Sequence, residues 1–346
     1  MKKLALVTVF TSAACVNTIF FSPLAVSQEN MHSDRPQILA SLDSAIDAGN
    51  TFHKHAEDDH HSRHAVELKS EQAQLDALNK VIPLSDPTMA KVLVTLHPLA
   101  LIAASVVSLD QLEVLMPPGA SPHDFALRPS DIDRIQEADV VFWVGPQAEP
   151  YLAGFAQRWP EKRWITLSDF ANADQPQDDH YWLSAQIAIK AQQMLAKTLG
   201  KDSAFFAADV KDALTYSHVA LAPVKNVGFF VYHRAYDHWV YEQGLNQQGY
   251  FTMSSERKTG MRTLTEMRAQ LLAGNIACVF VGKGVDLGLV EKLTEGANVR
   301  QQVLDPLANG ISISEHAYGD YLRKLADDAL KCLKTPSVST GTQPTL

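Results

Sequence analysis

The sequence predicts an α/β protein of two lobes, each a mainly parallel sheet flanked by helices, joined by a connecting helix, with a metal site in the interlobe cleft. Three observations predict it. A chain of 346 residues that is 46% hydrophobic and 20% charged is too long for one small domain and divides most naturally into two. From Met89 onward, short buried-strand runs alternate with helical patterns, the βαβ signature of a parallel sheet covered by helices. The chain also carries 13 histidines, and several stand at or just beyond a strand or element end, where open α/β sheets place their ligands.

The elements follow in order. Residues 1–27 open with Lys2 and Lys3, continue apolar to Val26, and end on the small residues of Ala25-Val26-Ser27, as a cleaved secretory leader does. A retained anchor is the alternative, since Leu4 to Val26 is long enough to span, but Asn17, Pro23 and several Ser and Thr residues dilute it. Ser12, in place of a leucine three residues before Cys15, argues against lipidation. Residues 28–88 form a helical extension, with amphipathic segments at 36–48 (Ile38, Leu39, Leu42, Ile46) and 65–81 (Leu68, Leu75, Leu78) separated by FHKHAEDDHHSRH. The N-terminal lobe, 89–200, has strands KVLVTL, LEVLM, DVVFWVG and RWITL, with helices near 98–107, 129–137 and 183–199. Ser130 is the expected N-cap of the second helix, with Asp133 completing a capping box. The connecting helix lies in 201–223 and ends at Pro223. The C-terminal lobe, 224–334, alternates VGFFVYH, GYFTM, ACVFVG and QQVLDPL with helices near 236–243, 264–273, 285–294 and 318–332. The Ser/Thr/Pro-rich tail, 335–346, reads as disordered.

Charge and cysteine content narrow the function. Thirty basic against 39 acidic residues, net −9, give no electrostatic reason to bind nucleic acid or an anionic membrane and suit a cationic partner. Loss of the leader leaves 28 basic residues against 39 acidic ones, a charge of −11. It also removes Cys15 and leaves Cys278 and Cys332. A lone cysteine pair in an oxidising compartment is usually bridged, which would stabilise by roughly 4 kcal/mol in the chain-entropy model. Two free thiols or a thiolate metal site is the competing reading, although the pair lacks CxxC spacing.

Four stretches present a metal-competent side chain: His123 in PPGASPHDFALRPSD, His180 in DDHYWLS, His233 in FFVYHRAYDHW and Asp305 in VLDPL. There is no HExxH motif and no histidine pair at i, i+4 inside a lobe, so spacing alone does not make a site of them. Taken singly, each has a plain alternative, a half-buried side chain bonded to backbone. His53, His55, His60, His61 and His64, interleaved with Glu57, Asp58 and Asp59, form an auxiliary weak metal-binding tract or a solvated loop between helices. His97 reads as a supporting or structural residue near the cleft, His238 as water-exposed, and His316 and Glu315 as surface residues. Trp143, Trp182, Trp239 and Phe125 read as core or cleft-wall aromatics, and Arg128 as a partner for a buried carboxylate or carbonyl.

The segment LEVLMPPGASPHDFALRPSDIDRIQEADVVFWVGP, with the later WLS, YHxAY, ACVF, LDPL and closing CL, resembles the periplasmic zinc-binding proteins of ABC transporters, the ZnuA-type members of the cluster A-I solute-binding family. The resemblance runs from about Lys91 to Leu333. It implies that His123, His180, His233 and Asp305 hold Zn²⁺, that Cys278 and Cys332 pair, and that a monomeric periplasmic protein delivers the ion to an inner-membrane ABC permease without catalysis. Three imidazoles and a carboxylate agree with borderline Zn²⁺. The chain departs from the family pattern at Gly282-Lys283-Gly284, where an acid is common, in a connecting helix about two turns shorter, and in carrying its histidine run in the N-terminal extension. Two alternatives stand beside this reading: a zinc hydrolase, for which Glu149 or Asp124 would have to serve as base, and a metal-binding surface adhesin of the same fold.

Overall fold

The structure is a computed structural model that describes residues 81–334 apart from 124 and 254–258. The predicted leader, most of the helical extension with its histidine tract, and the tail lie outside the described residues. Two four-stranded parallel sheets organise the rest. The first has β1 (Val92–Val94), β2 (Leu112–Val114), β3 (Val140–Trp143) and β4 (Arg163–Thr166) in the order β2-β1-β3-β4. The second repeats that order as β6-β5-β7-β8, with β5 (Phe229–His233), β6 (Gln247–Thr252), β7 (Cys278–Val281) and β8 (Arg300–Val303). Val92 stands opposite Leu112 and Val140, and Phe229 opposite Gln247 and Cys278. In each sheet the order reverses between the first and third strands in sequence, which opens a crevice at their carboxyl ends.

The apolar runs are buried on both faces, as parallel strands require, and the period of two sorts them. Val92, Val94 and Phe142 of the first sheet and Phe229, Val231 and Phe280 of the second enter one continuous core. Their neighbours Leu93, Val141 and Trp143 pack outward in a separate cluster, and Phe230, Val279 and Val281 do the same on the other side. Helices α1 (His97–Ala103), α2 (Pro129–Glu137), α3 (Pro150–Arg158) and α4 (Ala185–Thr198) belong to the first half. The connecting helix α5 (Ala204–Leu221) has 18 residues, about 27 Å of length, and Pro223 closes it in a 3-10 turn over Ala222–Val224. Then come α6 (Asp237–Gln243), α7 (Met261–Leu272), α8 (Gly288–Thr294) and α9 (Ala317–Leu333). Helix α9 packs along α5 and also reaches α1, so the last helix ties the C-terminal sheet to the first half of the chain.

Cys278, at the start of β7, is bonded to Cys332 in the last turn of α9, with 5.8 Å between Cα atoms. This is the pairing expected, and it rules out two free thiols. Among the described residues no helix is long and apolar enough to cross a membrane.

Two local readings change. Helix α2 spans the expected 129–137, but its cap lies two residues before Ser130: Pro129 occupies the first helical position, Arg128 is the N-cap, and its backbone N–H donates to Asp131 Oδ2 at 2.9 Å. The capping pair is therefore Arg128 and Asp131, not Ser130 and Asp133. Proline at N1 fixes the start because its ring presets φ and its missing N–H is not needed there. Helix α3 was not expected at all. It buries only Leu152, so its sequence carries too little apolar periodicity to announce a helix.

Candidate metal centre

Strand ends and their loops bring three histidines together. His233 is the last residue of β5. His123 sits in the loop after β2, where Gly119 takes φ +81° and the Ala120 N–H closes a turn on the Pro117 carbonyl. His180 precedes the short 3-10 turn Tyr181–Leu183 that leads into α4. One ligand atom from each lies within 4.8 Å of the others. His180 Nε2 and His233 Nε2 are 3.2 Å apart, close to the edge of about 3.3 Å that a tetrahedron of Zn–N bonds near 2.0–2.1 Å demands. The ring centroids are 5.0 to 5.5 Å apart, with rings steeply inclined to one another. Their nitrogens therefore converge on a point, and the rings do not stack. His180 is buried, His233 half-buried and His123 exposed.

Asp178 sets the orientation of His180. Its Oδ1 lies 2.6 Å from His180 Nδ1 and accepts the His180 backbone N–H at 3.2 Å, and its Oδ2 accepts the Asp237 N–H at 3.1 Å. Burial pushes the Asp178 carboxyl up, but the His180 ring and its hydrogen bond, helped by His238, outweigh this and hold it below the usual range. An ionised acceptor at Nδ1 puts the ring proton there and leaves the Nε2 lone pair for an ion, the carboxylate–histidine arrangement common behind metal ligands. His233 is kept neutral: burial, then the fields of His180 and His123, push it down to about 3. Neutral imidazole is the ligating form. Trp182, buried, sets its ring 5.0 Å from that of His180 and donates its indole N–H to the Pro306 carbonyl at 2.7 Å.

Asp305 is not part of this group. Its carboxylate turns into its own loop, accepting Leu307 N–H at 2.9 Å, Asn309 N–H at 2.8 Å and Asn309 Nδ2 at 3.2 Å. Three donors close to it in sequence hold this short side chain within its loop. His238 also departs from expectation: it is buried, and its Nε2 bonds the Asp178 carbonyl at 2.7 Å. Burial lowers its pKa, so it too is neutral. The Arg128 side chain is exposed, and it is its backbone N–H that serves the buried carboxylate of Asp131. His97 Nε2 lies 3.0 Å from the Ile311 carbonyl and is structural, while His316 and Glu315 are at the surface. The residue the sequence reading missed is Asp178. Its signal was an acid two residues before a histidine, a spacing that lets a short carboxylate fold back onto the following backbone.

Fold and site together define a two-lobed binding protein with a metal-competent histidine triad at the carboxyl ends of its strands. Residues 92–332 match the family described as zinc-uptake complex component A, periplasmic, and the chain belongs to that family. It is 31% identical to the high-affinity zinc uptake system protein ZnuA of Yersinia pestis, across 71% of this chain and 92% of that protein. Among solved structures it is similar to the laminin-binding protein Lmb of Streptococcus agalactiae (TM-score 0.62, 20% identity, 71% of this chain and 100% of that one). It is also similar to a zinc-bound deletion mutant of ZnuA (TM-score 0.61, 18% identity, 71% and 98%). At these identities the solved structures speak for the fold alone.

Proposed function

We propose that this protein captures Zn²⁺ in the periplasm, after export and removal of residues 1–27, and delivers it as a monomer to an inner-membrane ABC permease. The observation that carries this reading is the convergence of His123, His180 and His233, with the His123 imidazole exposed, His180 oriented by Asp178 and His233 kept neutral by its burial. Family membership and the zinc-uptake name of the Yersinia relative support the choice of ion. His123, His180 and His233 are three of the ligands, and the fourth position falls to water or to Asp305, whose oxygens accept three hydrogen bonds within its own loop and retain lone-pair capacity.

Binding is favoured over catalysis by the engagement of Glu149, the candidate base that lies among the described residues. The Glu149 carboxylate is buried and takes Val144 N–H, Thr95 Oγ1 and Tyr151 OH as donors, so it is committed to the loops that end β1 and β3. The histidine tract at 53–64 serves as a tether that holds further zinc weakly and raises its concentration near the cleft. Deleting residues 52–64 lowers the zinc stoichiometry and spares the tightest site. Zinc titration of the mature chain beside His123→Ala tests the assignment: stoichiometric tight binding is expected in the first and lost in the second. Tight binding retained in His123→Ala refutes it.

A further inference from the structure

The segment that carries His180 precedes the connecting helix in sequence, yet the second half of the chain grips it at several points. Asp178 is held by the Asp237 N–H and the His238 ring. Trp182 donates to Pro306, and its own carbonyl accepts Tyr318 OH at 2.8 Å. The start of α4 is held by Glu242 of α6: one carboxylate oxygen takes Ser184 Oγ–H and the Gln186 N–H at 3.2 Å, and the other takes the Ala185 N–H at 2.9 Å. These are donors that a helix start leaves unpaired, and a negative charge is favoured there by the helix dipole. Ser184 in turn accepts the Ile187 N–H as N-cap. The Leu183 N–H closes on the His180 carbonyl at 3.0 Å and the Ser184 N–H on the Tyr181 carbonyl at 3.1 Å. Only one tight turn therefore separates the anchored residues from the ligand. Gly244 at φ +62° ends α6, with Leu245 N–H on the Val240 carbonyl and Gly244 N–H on the Tyr241 carbonyl, a closure that holds Glu242 in the last turn.

We propose that Glu242, which is not among the grouped ligands, is a positioning residue for His180: its carboxylate pins the first turn of α4 and through it the 180–184 turn that aims the imidazole. This deepens the zinc-binding reading and rests on it. Without the carboxylate, the buried Ala185 N–H loses its partner. The first turn of α4 then has to shift or fray to find another, while Asp178 still orients the ring plane. The effect is accordingly a misplacement of His180 and not its loss.

The test compares the full mature chain with Glu242→Ala, Glu242→Gln and Leu271→Ala. The last removes a buried side chain of the outer C-terminal cluster and serves as a destabilised control. Each is titrated with Zn²⁺ against a competing chelator at a temperature where circular dichroism shows it folded, and with Co²⁺, whose visible band is intense only in near-tetrahedral sites. We expect about a tenfold loss of zinc affinity and a weakened Co²⁺ band in Glu242→Ala, a smaller loss in Glu242→Gln, which keeps one acceptor, and less than a twofold change in Leu271→Ala. Should Glu242→Ala fail to fold, Glu242→Gln carries the comparison. Unchanged affinity and Co²⁺ spectrum in the folded Glu242 variants would overturn the proposal, as would an equal loss in Leu271→Ala. Failure of the zinc reading itself looks different, because the unmodified chain would then bind no stoichiometric zinc.

Discussion

Replacing Asp178 by alanine removes, in one step, the acceptor of the His180 Nδ1–H at 2.6 Å, the His180 N–H at 3.2 Å and the Asp237 N–H at 3.1 Å. Two consequences separate cleanly. Without zinc, buried donors are left unpaired, at about 1–3 kcal/mol for each that finds no water, so the metal-free variant melts lower. With zinc, the ring is free to adopt the other tautomer or rotate. Losses of this kind weaken metal affinity about 10- to 100-fold, which is about 1.4–2.7 kcal/mol. At a fixed excess of zinc, stabilisation by the ion falls by the same amount. At about 2–4 °C per kcal/mol for a chain of this size, the zinc-induced rise in Tm shrinks by roughly 3–11 °C. Differential scanning calorimetry with and without zinc reads both quantities. Asp178→Asn keeps an acceptor for His180 but turns an amide N–H₂ toward the Asp237 N–H, so it should fall between the two. A metal-free Tm that drops while the zinc-induced rise is unchanged would show that Asp178 supports the fold and not the ligand.

Three further outcomes are expected. Zinc affinity falls as pH drops from 7.5 to 5.5, because protons compete for imidazole lone pairs. His233, pushed down to about 3, stays neutral throughout that range; a pH-independent affinity in competition titrations would contradict the site. Glu149 is raised to about 7 by burial, against the lowering effect of its hydrogen bonds. The folded protein therefore keeps this proton between about pH 4.5 and 7 while the unfolded chain releases it, and the group's contribution to stability declines by roughly 3 kcal/mol as pH rises through that window. Glu149→Gln has no proton to release, so urea unfolding should show the difference between the unmodified chain and the variant shrinking by about that amount from pH 4.5 to 7.5. Removing the Cys278–Cys332 bond, whose partners are 54 residues apart, should cost about 4 kcal/mol and lower Tm by about 10 °C; an unchanged Tm on reduction would contradict this.

The sequence by itself determined the two-lobed α/β architecture. Runs such as VVFW and FFVYH bury both faces, and that requirement is local enough to be visible in composition and length alone. It also marked His123, His180 and His233 as side chains at element ends, and the cysteine pair as a bridge, although only resemblance to a family joined the histidines into one site. Tertiary structure decided the rest, because the deciding contacts join residues far apart in the chain. Trp182 meets Tyr318 across 136 positions, His238 meets Asp178 across 60 and Glu242 meets Ser184 across 58. His238 was read as water-exposed because periodicity within a seven-residue helix cannot show what covers it. Resemblance made Asp305 a ligand, and only the structure shows its oxygens accepting the backbone N–H groups two and four residues on. Helical and strand periods report which face of an element is buried. Which nitrogen of an imidazole points at an ion depends on the acceptor behind the ring, and here that acceptor is held in place by residues of the opposite lobe.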